Sequence, residues 1–169
     1  MNSSGTLSLS KKSISGILID ITALGFIYFS PAIAHLFSFP VYMIEPMRLM
    51  LILSIAHAGK KNSIILALTL PLFSFAVTAH PVFIKMLIIT VELLVNTFLF
   101  YFLCGKTRHQ FTAMLLAIIG SKILCYLLYL LFFPISFVIA EADPAFLGIQ
   151  LLTTLIFSGY VFVIFRLRN

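Results

Sequence analysis

Charge is scarce in this sequence. Five acidic residues and eleven Lys and Arg among 169 put charged side chains at 9%, where a soluble domain carries roughly a quarter. So few cannot coat a water-exposed globule, and 62% apolar residues with a mean hydropathy of +1.16 make lipid the solvent. Cysteine is nearly missing too. Cys104 closes one apolar run and Cys125 lies inside the next, a spacing that excludes a secreted disulfide framework, a redox pair or a thiolate metal site and leaves packing as their role. No glycine-rich phosphate loop occurs, so the chain does not hydrolyse a nucleotide by the usual means. Gly120-Ser121 lacks the second glycine of a nucleophile elbow, and its run contains no histidine to act as base. His35, His57 and His80 stand singly, without the paired spacing of a metal site; His57 and His109 are expected at the membrane interface. Binding chemistry survives these exclusions; catalysis does not.

What charge exists is ordered. Eight of the basic residues form four pairs, Lys11/Lys12, Lys60/Lys61, Lys106/Arg108 and Arg166/Arg168, separated by long apolar stretches. Cytoplasmic loops retain Lys and Arg, so four basic clusters on one side require two crossings per interval and six in all. Both termini then face the cytoplasm. The opposite connections, near Phe39 to Val41, at His80/Pro81 and from Phe137 to Ala145, hold no Lys or Arg, and the last holds Glu141 and Asp143. The formal charge of +6 thus orients the chain against anionic lipid and gives no reason to expect nucleic-acid binding.

The spans predicted by apolar run length are Ser13 to Phe37, Val41 to Ala58, Ser63 to Ala79, Val82 to Cys104, Phe111 to Ser136 and Phe146 to Arg166. Six helices of about 20 residues consume the chain. The expectation is a single all-α membrane domain over residues 1–169, a compact bundle of six transmembrane helices, N-in and C-in, with a short cytoplasmic tail over about residues 1–12. Lys11/Lys12, an apolar run and Ala32-Ile33-Ala34 imitate a cleaved signal, but the run is long for one and carries Asp20, so it is read as the first span. Short connections such as Gly59-Lys60-Lys61-Asn62 and His80-Pro81 make consecutive helices antiparallel neighbours. Pro31, Pro46, Pro71 and Pro134 each remove a backbone hydrogen bond inside or near a span, which either lines a site or merely shapes packing.

Asp20, Glu45, Arg48, Lys85, Glu92 and Lys122 lie within these runs, each costing roughly 2.5 to 3.5 kcal/mol at mid-membrane. Three acids against three bases imply mutual neutralisation in a protein-lined interior. Lys85, Glu92 and Asn96 superimpose on one face of the fourth span, which must point inward. Lys122, Tyr126, Tyr129 and Phe133 form one stripe on the fifth, and Gln150, Thr153, Thr154, Phe157 and Ser158 a polar and aromatic surface on the sixth. Ser74 and Thr78 share a face above Pro71. Interhelical hydrogen bonding explains such hydroxyls as well as ligand contact does. Glu45 and Arg48 can close a local pair at a helix entrance, and Lys85 can snorkel to the outer interface. By the topology, Glu45, Arg48, His35, His80, Lys85, Tyr126, Tyr129, Gln150 and Thr153 fall in the outer half and Glu92 and Lys122 near the midplane, as a polar chamber opening outward requires. Asp20 lies apart; pairing with Lys122 is the favoured reading for it, with a proton path or a partner contact as others.

The segments Glu45-Pro46-Met47-Arg48, Leu70-Pro71-Leu72-Phe73-Ser74-Phe75, Ala79-His80-Pro81-Val82-Phe83-Ile84-Lys85-Met86 and Glu92-Leu93 resemble the substrate-binding (S) components of energy-coupling factor transporters. The likeness runs through most of the chain in layout and about Pro31 to Asn96 in wording. It implies a membrane subunit that captures a vitamin or similar micronutrient from outside, working with a transmembrane coupling subunit and two cytoplasmic ATPases in the plasma membrane of a prokaryote. It further implies a pocket capped by the connection from about Leu36 to Ile44 and lined by helices four to six, with Glu92 first among the binding residues. Asn96, Lys85, Tyr126, Tyr129, Lys122, Gln150, Thr153, Arg48 and His80 complete the candidate set. No cofactor is expected, and a chain starting Met1-Asn2-Ser3 lacks the histidine that metal-binding members use, so a metal cargo is disfavoured. The family's Ala-x-x-x-Ala docking motif is replaced by a loose small-residue surface at Ser13, Gly16 and Ala23. Two competing readings are a structural protein of a cell-envelope or cell-shape complex and a proton-coupled carrier using an Asp20, Glu92 and Lys122 relay.

Overall fold

The computed structural model describes residues 11–37, 41–78, 81–107, 109–134 and 144–168. Among them there are six α-helices and no strand: α1 (Lys11–Phe37), α2 (Pro46–His57), α3 (Lys60–Thr78), α4 (Phe83–Cys104), α5 (Gln110–Phe132) and α6 (Pro144–Arg168). A 3₁₀ turn over Val41–Ile44 precedes α2. Five of the helices, all but α2, are long and apolar enough to cross a membrane. Their exposed residues suit lipid: Ile14, Ile17, Leu18 and Ile21 stand outward on α1, and Leu151, Leu152, Leu155 and Ile156 on α6.

The second expected span, Val41 to Ala58, takes a different form. α2 has 12 residues and is therefore about 18 Å long, well short of a ~30 Å hydrocarbon layer. Pro46 causes the break. A residue before proline is disfavoured in the right-handed helical region, so the 3₁₀ turn cannot run straight into α2. Glu45 instead adopts a left-handed conformation, φ 54° and ψ 63°, at a cost of about 1 to 2 kcal/mol for an L-residue. The connection to α3 is also tighter than expected. Gly59, at φ 93°, donates its N–H to the Ser54 carbonyl at 2.9 Å, the glycine-terminated helix end that only a residue free of Cβ strain makes without penalty. α3 consequently begins at Lys60, and Asn62 lies within its first turn.

Prolines shape two other helices. Inside α1, Pro31 lacks the N–H that would reach the Ile27 carbonyl, and the Ser30 hydroxyl donates to that oxygen at 2.9 Å in its place. α5 stops at Phe132, earlier than the expected Ser136, because Pro134 holds Phe133 extended at φ −126° and ψ 152°.

Packing makes α2 the hub. Leu51, Ile52 and Ile55 join Leu93, Phe100, Met114, Ile118, Phe157 and Val161 in one core between α2, α4, α5 and α6. Met50 joins Ala23, Ile27, Leu66 and Leu70 in a second core between α1, α2 and α3. α4 lies between α3 and α5, α5 packs on α6, and α6 returns to touch α2 and the 3₁₀ turn, which closes the bundle. Seven of the twelve α2 residues are buried, whereas the α1 span is the least buried of the five long ones. α2 is thus solvated by protein, so it can carry a charge that a lipid-facing helix could not.

Candidate functional site

Arg48 sits in the first turn of α2 with 3% of its side chain exposed. Its Nη2 donates to Glu92 Oε1 on α4, and its Nη1 lies 2.7 Å from Glu45 Oε2. Lys122, midway along α5, donates its Nζ to Glu45 Oε1 and stands 3.9 Å from Glu92 Oε1. The four groups close a ring of alternating sign: Glu45, Arg48, Glu92, Lys122. Two acids and two bases give it zero net charge. That balance offsets the cost of four ionic groups in a lipid-solvated bundle, since a buried ion persists only when paired. The chain brings them together from four places, the left-handed joint before α2, the first turn of α2, the middle of α4 and the middle of α5.

Of the expected site residues, Arg48, Glu92 and Lys122 therefore meet. Glu45, absent from the binding set, is a full member of the ring; its place three residues before Arg48, with Pro46 between, was the available signal. The local Glu45–Arg48 pair exists and is only one side of a larger array. Asn96, one turn from Glu92, is fully buried, and among the described residues neither its Nδ2 nor its Oδ1 has a hydrogen-bond partner. Gln150 on α6 is buried, and among the described residues its Oε1 is unpartnered and Arg48 Nε has no acceptor. Lys85 lies 6.0 Å from the centroid of the Tyr129 ring, at cation–π range. Tyr129 meets Phe133 edge-on at 5.8 Å and forms a small cluster with Ile88 and Cys125, against which Tyr126 packs. His80 lies outside the described residues, as do Phe39 and most of the Phe137 to Ala145 connection.

Three expectations need correction. Among the described contacts the ring holds two acids and two bases: Asp20 is bonded to Asn62, and Lys85 lies over the Tyr129 ring. Asp20 does not pair with Lys122: it accepts from Asn62 Nδ2 at 2.7 Å, and no described contact joins it to Glu92 or Lys122, so the three-residue relay is not assembled. Thr153 contributes little polarity to a chamber, because its hydroxyl donates to the Gln150 carbonyl at 3.0 Å. Thr154 does the same at 2.7 Å, and Ser158 donates to the Thr154 carbonyl at 2.8 Å. A hydroxyl in an apolar helix satisfies itself on the preceding turn when no neighbour offers better.

Asp20 belongs to a separate cluster joining α1, α2 and α3. Asn62 Nδ2 also lies 3.2 Å from Ser54 Oγ, and Ser63 Oγ donates to the Gly59 carbonyl at 2.9 Å and lies 3.2 Å from Ser54 Oγ. Gly16 admits Asn62, since a Cβ there would stand 3.3 Å from its Oδ1. Replacing Asn62 by Leu removes a donor to a carboxylate and is expected to cost about 1.5 to 3 kcal/mol, measurable by denaturation in mixed micelles. A third polar contact ties α2 to α6, where His57 Nε2 and Tyr160 Oη are 2.8 Å apart. Among the described residues no three of His, Cys, Asp and Glu gather to hold a metal.

No protein-family model, curated protein or solved structure matches this chain.

Proposed function

We propose that the chain is the membrane-embedded solute-binding subunit of an ATP-driven importer of the energy-coupling factor kind, capturing a vitamin-like organic solute from outside. The bundle crosses the membrane six times in this reading, with the joint and α2 making the second crossing jointly and both termini cytoplasmic. An up-and-down course gathers the basic pairs at one end, as the cytoplasmic face of a prokaryotic plasma membrane requires. A coupling subunit and two ATPases supply the energy, because the chain carries no nucleotide site of its own.

One observation carries the proposal: buried polar capacity exceeds what the described residues use. Among the described residues, Asn96 Nδ2 and Oδ1, Gln150 Oε1 and Arg48 Nε are buried without a hydrogen-bond partner. Each unpaired group costs about 1 to 3 kcal/mol. A helix bundle selected for stability alone places apolar side chains there, whereas a binder keeps such groups for its solute. The self-neutralised ring is the observation that favours a structural membrane protein instead, because four charges that satisfy one another need no guest. The carrier reading draws no such support, since Asp20 is committed to Asn62.

Protein purified in mild detergent is expected to carry a small organic molecule, released on denaturation and detected by mass spectrometry. A vitamin panel at 100 times its Kd stabilises the folded state by about 2.7 kcal/mol. Repeatedly empty preparations with no thermal shift across the panel overturn the proposal in favour of the structural reading.

A further inference from the structure

We propose that the Glu45 carboxylate stands in for a carboxylate of the solute: the cargo is an organic monoanion that takes the place of Glu45 between Arg48 and Lys122. The inference rests on the solute-binding reading above and adds the chemical class of the solute.

Three features single out Glu45. First, it is the ring member that stands outside the body of a helix: it caps α2, its carbonyl accepting the Leu49 N–H at 3.0 Å. Arg48, Glu92 and Lys122 project from α2, α4 and α5, whereas Glu45 occupies the left-handed joint between the 3₁₀ turn and α2. A residue held in a sparsely populated backbone region has a conformational change available that relieves it. Second, its grip on Arg48 is poor. Nη1 and Oε2 are 2.7 Å apart, yet they are out of line for a hydrogen bond, and both atoms are buried with none. Arg48 Nε likewise has no acceptor among the described residues. Two of the three nitrogens of a guanidinium that is 3% exposed thus await an acceptor better aimed than Glu45. Guanidinium and carboxylate are planar groups that bind most strongly when their bonds run parallel, a geometry that the short tether from Glu45 to Arg48 resists and a free carboxylate reaches.

Third, the charge count selects the solute. With Glu45 in place the ring is neutral. If Glu45 leaves, Arg48 and Lys122 face Glu92 alone, and one positive charge stays uncompensated in a medium that penalises it. A monoanion restores neutrality. A neutral solute does not, and a cation would have to displace Arg48 or Lys122 from a helix interior. Glu45 therefore acts as an internal competitor: it keeps the empty site electrically closed and yields to a carboxylate that brings contacts of its own.

Thermal unfolding of the full chain in detergent, titrated with benzoate and with benzamide at matched ionic strength, tests the exchange. Removing the competitor raises the fraction of protein ready to bind, so Glu45→Gln is expected to respond to benzoate at a concentration lower than wild type by about tenfold or more, and neither protein to benzamide. Glu45→Gln/Lys122→Met restores a one-to-one balance and is expected to lose the benzoate response. If Glu45→Gln unfolds in carboxylate-free buffer, recovery by benzoate and not by benzamide supports the exchange, and failure of benzoate to recover it overturns it. Equal benzoate responses from wild type and variant, or equal responses to the amide, overturn the exchange while leaving a solute-binding role in place. If no solute from the vitamin panel shifts wild type and no benzoate effect appears on the variant, both proposals fall.

Discussion

Arg48→Met is expected to destabilise the folded protein by about 3 to 5 kcal/mol, the cost of stranding a buried charge by removing its partner. The magnitude follows from what is left. Glu45 and Glu92 would share one cation, and Lys122 already donates to Glu45 while standing 3.9 Å from Glu92. One carboxylate must then take up a proton or draw water into the bundle. Removing Glu92 as well, in Arg48→Met/Glu92→Leu, leaves Lys122 and Glu45 as a neutral pair and is expected to recover most of the loss. Unfolding in mixed micelles, followed through the full double-mutant cycle, reads the coupling directly. Costs that add within about 0.5 kcal/mol would mean that the two residues do not act as one unit.

The membership of this ring was half legible in the sequence. A charge inside an apolar run has few places to go, so Glu92 and Asn96, four apart on α4, were bound to share an inward face. Arg48 and Lys122 followed from the same cost. Partner choice was not legible, because helical spacing offers only near neighbours: it supplies Glu45 with Arg48, but Glu45 with Lys122 joins residues 77 apart in the chain. Such a pair is decided by how α2 and α5 lean together.

The second helix shows a different failure. Pro46 was visible, and its effect on the residue before it is general, yet apolar run length from Val41 to Ala58 outweighed it, and a broken segment was read as a continuous span. Asn62 was read as part of a connecting loop because it follows Gly59-Lys60-Lys61. Once Gly59 turns the chain within one residue, Asn62 moves into α3 and faces Asp20. The sequence thus made the need for an Asp20 partner plain and hid its identity behind a boundary. Hydroxyls mislead for a related reason: Thr153, Thr154 and Ser158 all bury inward as their spacing requires, but direction is no guide to use when each donates to its own helix.

Asn96→Leu is the change expected to separate the two functional readings most widely, because stability and binding should move in opposite directions. Asn96 is fully buried with both amide atoms unpartnered among the described residues, and Leu93 and Phe100, three before and four after it on α4, belong to the apolar core. Leucine has nearly the same shape and no polar atoms to desolvate. The folded state should gain about 1 to 3 kcal/mol, the penalty of one unsatisfied buried group. If the amide is kept for a solute, the same variant loses a hydrogen bond in the bound state and leaves the solute's own polar group unpaired. Affinity for the co-purified molecule should fall on the order of 100-fold, equivalent to about 2.7 kcal/mol. Thermal shift gives both numbers from one titration. A stabilised variant that binds as tightly as wild type would remove Asn96 from the site. A variant that is destabilised instead would show that the amide holds the bundle together, and the unused polar capacity on which the solute-binding proposal rests would shrink to Gln150 and Arg48.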